Sequence, residues 1–261
     1  MTVFKHEIKQ IRMTLLIWGG VVGLMILVCM LTYPGMNSDA SNAFDNMGAL
    51  SAAFGMDNLS ISSLMGLYGL ECGNVLAIGG AFFAALIGIG MLSKEENGHT
   101  AEFLLTHPIS RRRVVAEKIF ATLFIVILFN VLCLLFSIAS FAIIGEMKNV
   151  VWDAFWLFHL AQFVMQVEIA FICFGISAFI KRGGIGVGLG LAALMYFLNI
   201  ICNMSSEAEF LKYITPYQYA EPSQIISKVS IDGTLITVGI AYAVIGMIVA
   251  IWYYNRKDIV S

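Results

Sequence analysis

Charge is what this chain has least of. Asp, Glu, Lys and Arg make up 12% of its 261 residues, about half the share usual in soluble domains. With 59% hydrophobic residues, that scarcity excludes a water-soluble globular domain and points to an integral membrane protein. Cysteine is sparse and unpatterned. Cys29, Cys72, Cys133, Cys173 and Cys202 lie in or at the edge of apolar runs, and none has a CxxC or Cys/His spacing for a metal. Position allows a bridge between Cys72 and Cys202, but packed or lipid-facing free thiols fit all five better. No GxxxxGK[ST] phosphate loop occurs, so ATP is not expected to bind this chain. No Ser-His-Asp arrangement is evident, and no basic run is long or aromatic enough for nucleic acid. The expectation is a chain with no cofactor, no metal and no catalytic residue of its own.

The few charges are clustered, and six nearly uncharged segments lie between the clusters: Met13–Thr32, Cys72–Ser93, Ile119–Gly145, Ala154–Ile180, Gly183–Ser206 and Gly233–Asn255. Cys72–Ser93 and Ile119–Gly145 carry no charged side chain in 22 and 27 residues. As helices they reach about 33–40 Å, enough to cross a hydrocarbon core of roughly 30 Å. The expected fold is an all-α polytopic membrane protein, a single transmembrane domain over residues 1–261, with six transmembrane helices in a lipid bilayer. If the N-terminus is cytoplasmic, 12 of the 15 Lys and Arg fall on the inner side and 3 on the outer. By the positive-inside rule both termini are therefore cytoplasmic. The basic start superficially resembles a signal peptide, but its apolar stretch of about 20 residues exceeds the usual 7–15. A retained first helix is expected.

Four stretches outside the spans stand out. In residues 1–12, Phe4, Ile8 and Ile11 recur at helical spacing beside a stripe of Lys5, Lys9 and Arg12, which predicts an amphipathic helix lying in the inner interface. Residues 33–70 form a first outer segment without Lys or Arg but rich in Phe, Met and Leu. Residues 204–232 form a second, in which Tyr213, Tyr217 and Tyr219 suit an interfacial aromatic belt and Pro216 and Pro222 break any long helix. The fourth is Lys94–Lys118, KEENGHTAEFLLTHPISRRRVVAEK, a charged cytoplasmic hairpin between spans two and three. By contrast, Lys181–Gly184 allows only a tight turn. In the hairpin, Ser93–Thr106 can be helical, with Glu95 and Glu96 at its favourable N-terminal end. Ala101, Phe103, Leu104 and Leu105 supply apolar surface. Gly98 permits a break or close approach, Pro108 stops the helix, and Ser110 is placed to cap the third span.

The phrases Lys94-Glu-Glu-Asn-Gly-His-Thr-Ala-Glu102 and Leu104-Leu-Thr-His-Pro-Ile-Ser-Arg111, followed by Lys118, resemble the hairpin of ABC-2 type permeases. These are the six-helix membrane subunits of ATP-driven exporters, and His99 is a small departure from their usual Gly-Thr pair. The resemblance extends over the whole chain, though only the hairpin is specific. It implies a coupling helix docking on a separate cytoplasmic ATPase, with Glu95, Glu96, Gly98, Glu102, Phe103, Leu104 and Leu105 at or near the contact. It also implies two ATPase copies carrying ATP and Mg, a second permease copy or related permease, and a bacterial cytoplasmic membrane. Spans one and five would meet the second permease, and spans two and five would surround the substrate path.

The glycine pairs Gly19/Gly23, Gly184/Gly188 and Gly186/Gly190 suit close helix packing, including packing against a second copy. Glu168, the one acid inside a span, costs about 2.5–3.5 kcal/mol at the bilayer centre and should face protein or water. Staying protonated, lining the substrate path, or pairing with another helix all fit it. His159, Gln162 and Gln166 mark the opposite face of the same helix, and Asn130, Asn199 and Asn203 are further polar positions. Glu168, Gln162, Gln166 and Asn199 are the candidate path residues. The apolar, aromatic spans suit export of a hydrophobic or amphipathic cargo, such as an antimicrobial or toxic peptide or a drug. Two rivals exist. A gradient-driven transporter or channel would rely on Glu168. An intramembrane protease would use Glu95, Glu96 and His159, but Thr100 stands where its motif needs Arg.

Overall fold

The computed structural model describes residues 2–35, 59–60, 62–97, 110–180 and 184–256. Six helices are long and apolar enough to cross a membrane, and no strand occurs among the described residues. We label them α1 (Thr2–Leu31), α2, α3 (Arg111–Ile143), α4 (Trp152–Ser177), α5 (Ile185–Met204) and α6 (Gly233–Arg256). α2 is a composite of a helical turn at Leu64–Leu67, a π-turn at Tyr68–Cys72 and a long helix at Gly73–Asn97. Short 3₁₀ turns at Tyr33–Gly35, Met147–Asn149 and Ser206–Tyr213, with a helix at Pro222–Lys228, complete the described connections.

Local chemistry explains the boundaries. Ser110 caps α3 as its position predicted, its extended backbone turning the hydroxyl to accept from the Arg113 N–H at 3.4 Å. Ser63 does the same for the start of α2 through Gly66 N–H. Asp232 accepts from the N–H groups of Thr234 and Leu235 at the start of α6. Span two begins at Leu64, eight residues before the uncharged run, because Ser63 supplies the cap and Leu64–Leu70 is apolar and buried.

Residues 2–12 do not form a separate interfacial helix. They are the first three turns of α1, with no Pro or Gly to break the path into the span. Phe4, Ile8 and Ile11 pack against the protein core, with the Phe4 and Phe124 rings 5.6 Å apart, while Lys5, Lys9 and Arg12 point outward or lie partly exposed. The predicted hairpin 94–118 is likewise shortened from both ends. Lys94–Asn97 continue α2, and Arg111–Lys118 are the first two turns of α3.

α2 and α4 are the most buried spans and form the centre of the bundle. Small residues let them approach: a Cβ on Gly88 would lie 2.1 Å from the Ala170 carbonyl oxygen. The same device joins α4 to α6, where a Cβ on Gly246 would lie 2.3 Å from the Phe171 carbonyl oxygen. α1 lies along α3 and α2. The Trp18 indole donates to the Gly79 carbonyl at 2.9 Å, and Phe83 stacks on Phe129 with centroids 4.5 Å apart. Apolar side chains such as Ile17, Val21, Leu194 and Ile248 cover the outer face, as a bilayer-embedded bundle requires.

Candidate functional site

At the end where α2 leads into the hairpin, one carboxylate gathers three helices. Glu7 of α1 is buried and forms ion pairs with both Lys94 of α2 and Lys118 of α3. The Lys118 ammonium donates to Glu7 Oε1 at 2.9 Å and to the Met91 carbonyl at 2.6 Å. Lys94 also donates to Gln10 Oε1 at 2.8 Å. A second carboxylate works in the opposite sense. Glu117 of α3 accepts from the Val3 and Phe4 N–H groups of α1 at 3.0 and 3.2 Å, and from Arg113 Nε at 3.1 Å. Those N–H groups have no partner within α1, so Glu117 caps it from a neighbouring helix. Lys94 and Lys118 are the first and last residues of the predicted hairpin. The two stems are therefore bound to one another through α1.

Sequence reading noted Lys94 and Lys118 and missed Glu7 and Glu117. The signal for Glu7 was present: it is the only acid in the first 38 residues, set among cations. Of the predicted docking residues, Glu95 and Glu96 continue the α2 backbone beside Lys94. Gly98, Glu102, Phe103, Leu104 and Leu105 lie outside the described residues.

The second polar constellation follows α4. Glu168 is buried and its Oε2 accepts from the Tyr219 hydroxyl at 2.7 Å. Burial, and then the carboxyl beside it, push the Tyr219 phenol well above its ordinary range, so it remains a donor. Gln166 accepts from Asn130 Nδ2 of α3 at 2.7 Å, and its amide lies against Gly80 of α2. Gln162 Nε2 donates to the Ala220 carbonyl at 3.1 Å. His159 Nε2 lies 2.8 Å from the Tyr68 hydroxyl, which donates onward to Ser137 at 2.8 Å. α4 is thus tied on both faces, although His159 Nδ1, Gln162 Oε1 and Gln166 Nε2 are buried without a hydrogen-bond partner among the described residues.

The segment expected to be an outer aromatic belt is folded inward instead. Tyr213 stays exposed, but Tyr217 and Tyr219 are buried. Thr215 and Tyr217 donate to the Met195 and Ala192 carbonyls of α5 at 2.8 and 3.3 Å. Glu221 accepts from Asn199 and Asn203 of α5 at 3.1 and 3.3 Å. Asn199 therefore anchors this inward segment, as Glu168 and Gln162 do from α4. The hydrogen-bonding side chains at 215, 217, 219 and 221 alternate, and each reaches a neighbouring helix.

The glycine pairs separate into two kinds. Gly19 and Gly23 face Leu132 and Phe136 of α3, and Gly184 and Gly188 face Ile89 of α2. These faces are filled by side chains of the same chain. Among the described residues, nothing lies within 4 Å of a Cβ added at Gly186 or Gly190. All five cysteines are free thiols, so Cys72 and Cys202 are not bridged. The protease arrangement fails on distance. His159 bonds to Tyr68, which precedes Glu95 by 27 residues along α2, a separation of about 40 Å at 1.5 Å per residue.

Six apolar spans and a charged α2–α3 connection are the frame on which the sequence comparison decides. A profile of the ABC-2 family transporter proteins matches residues 1–259. The chain belongs to the ABC-2 transporter family. It is a multi-pass membrane permease component of an ABC transporter, and in such systems the ATPase activity lies in a separate, associating subunit. No curated protein matches the chain. The α4 constellation lies among the helices long and apolar enough to cross a membrane.

Proposed function

We propose that this ABC-2 permease is the membrane half of an exporter, with its lysine- and arginine-rich end and both termini in the bacterial cytoplasm. Two copies of a cytoplasmic ATPase, carrying ATP and Mg, drive a pair of permeases. The docking element is the hairpin around Glu95–Leu105, and the cargo is hydrophobic or amphipathic, with a toxic or antimicrobial peptide the preferred class. The observation that carries this reading is the convergence of Lys94 and Lys118 on Glu7. A displacement of the hairpin acts on both stems, and Glu7 passes it to α1, so three helices move together. The free stripe of α5, with Gly186 and Gly190 open and Leu194, Phe197 and Ile201 exposed, supports pairing with a second permease.

The experiment is a mild-detergent pull-down of the chain from its native membrane, with mass spectrometry of the retained proteins. A stoichiometric ATPase, lost when Glu95, Glu96 and Leu104 are substituted together, is the expected result. An ATPase retained by that triple variant overturns the docking assignment. A chain that never retains an ATPase, while other membrane complexes survive, overturns the coupling.

A further inference from the structure

α4 and α6 touch through glycine, and the contact leaves a groove beside it. A Cβ on Gly175 would lie 2.9 Å from the Gly246 carbonyl oxygen, so at this height the two helices meet backbone to backbone. The groove, about 440 Å³, has an apolar wall that includes Ile176 and Phe179 of α4, Met195 of α5, and Tyr242, Ile245 and Val249 of α6. Phe179, Tyr242 and Ile245 are exposed on the bundle surface, so the groove opens toward the bilayer. α2, α4 and α6 run parallel, since Gly80 and Gly88 meet Gln166 and Ala170, while Gly246 and Tyr253 meet Gly175 and Phe179. α6 therefore ends, at Arg256, on the same side of the bundle as Lys94.

Tyr242, Val249 and Arg256 follow one another at intervals of seven residues and share one face of α6. At 1.5 Å per residue, Val249 lies about 10 Å and Arg256 about 21 Å along the axis from Tyr242. Half a hydrocarbon core is about 15 Å, so this face crosses one leaflet, from near mid-bilayer to the surface. The Phe179 and Tyr253 rings, with centroids 4.1 Å apart, continue the apolar surface between the groove and Arg256. The Arg256 guanidinium lies over the Trp252 ring, 4.6 Å from its centroid, and among the described residues no carboxylate pairs with it.

We infer that this groove is a binding site for one anionic phospholipid, with an acyl chain along α6 and the phosphate at Arg256. Size selects the chain. A groove of 440 Å³ that runs about 10 Å along α6 has a cross-section of about 40 Å², too narrow to seat a helix of 10–12 Å diameter from a second copy. An extended peptide would leave its backbone groups unsatisfied against an apolar wall. A hydrocarbon chain has no such groups and gains by the contact. Charge selects the head. Arg256 stands where the leaflet's headgroups lie, and a guanidinium pairs with phosphate through parallel hydrogen bonds. A zwitterionic lipid offers the same chains but neutralises its own phosphate. The site stands on the groove and Arg256, and not on the exporter reading.

The test is native mass spectrometry of the full chain, delipidated in mild detergent and titrated with dioleoyl phosphatidylglycerol, dioleoyl phosphatidylcholine and glycerol 3-phosphate. The expected result is one phosphatidylglycerol per chain, bound at least tenfold more tightly than phosphatidylcholine, with glycerol 3-phosphate weaker than either lipid. Arg256→Gln, an exposed position, should bring the two lipids to parity. Ile245→Trp fills the mouth of the groove and should weaken phosphatidylglycerol at least tenfold with Arg256 intact. Parity in the native chain, or an undiminished preference in Arg256→Gln, overturns the headgroup assignment. Undiminished binding in Ile245→Trp, or glycerol 3-phosphate bound as tightly as the lipid, overturns the groove as its seat. A dimer that binds no lipid, and that Ile245→Trp dissociates, assigns the groove to a second copy and overturns the proposal.

Discussion

Lys118 donates to Glu7 at 2.9 Å with both side chains wholly withdrawn from solvent, although 111 residues separate them. An ion pair in that position is weak evidence for stability, because desolvation offsets much of the attraction. It is strong evidence for registry. The pair fixes α1 against α3 at one height, and Lys94 fixes α2 to the same carboxylate.

Removing one partner should therefore cost more than removing both. Lys118→Met leaves Glu7 with Lys94 alone and should destabilise the chain by about 3 kcal/mol, within the range for a broken buried pair. The double variant Lys118→Met with Glu7→Leu should recover part of that loss. Thermal unfolding in mild detergent, followed by circular dichroism, reads both. A double variant no more stable than the sum of the two single losses would show that the pair is not the unit assigned here.

Tyr68 gives a second, local prediction. Its hydroxyl is the link between His159 of α4 and Ser137 of α3, and it sits in a π-turn surrounded by Phe141, Phe155 and Phe158. Tyr68→Phe keeps the ring packing and removes both hydrogen bonds. At about 0.6–2 kcal/mol for each polar bond between membrane helices, the loss of two should be about 1–4 kcal/mol. Ser137→Ala removes one of the two bonds and should cost less. The ordering of the two variants in the same thermal assay is the check.

Glycine substitutions should divide by face. Gly88→Ala places a Cβ against the Ala170 backbone oxygen, which cannot move without separating α2 from α4. Gly186→Ala meets nothing among the described residues. The first should reduce the yield of folded protein sharply, and the second should leave the fold intact. Size-exclusion profiles of the purified variants distinguish the two. A monodisperse, native-like Gly88→Ala protein would contradict the close α2–α4 contact.

The spans were legible because charge depletion is a local property, readable over twenty residues at a time. Ser110 was legible for the same reason, since a cap acts within its own turn. What joins the spans was not. Glu7 meets Lys94 and Lys118 across intervals of 87 and 111 residues, and composition carries no information on such pairing. The basic stripe of Lys5, Lys9 and Arg12 favoured an interfacial helix and concealed the one acid that turns inward. Tyr217 and Tyr219 were assigned to a belt because tyrosine near a span end usually belongs there. The alternation of Thr215, Tyr217, Tyr219 and Glu221 was visible, but the hydrogen-bond partners that draw them inward lie on α4 and α5. Glu168 was conspicuous by its cost in the membrane. Its partner was not identifiable until Tyr219 was placed beside it.

The Glu168–Tyr219 bond depends on a third residue that makes no hydrogen bond to either. A Cβ at position 239 would stand 2.2 Å from Glu168 Oε2 and 3.2 Å from the Tyr219 ring. The carboxyl is the movable part, so Gly239→Ala should displace it rather than unfold α6, and the bond to Tyr219 should break. Tyr219→Phe removes the same bond from the other side. Each single variant should lose about 1–2 kcal/mol of stability, and the double variant should lose little more than either alone, because the interaction can be removed only once. Additive losses would show that Gly239 serves helix packing alone. Non-additive losses, read in a double-mutant cycle by thermal unfolding, would establish that α6 holds the Glu168 carboxyl against Tyr219. A shift of α6 at this height would then release it.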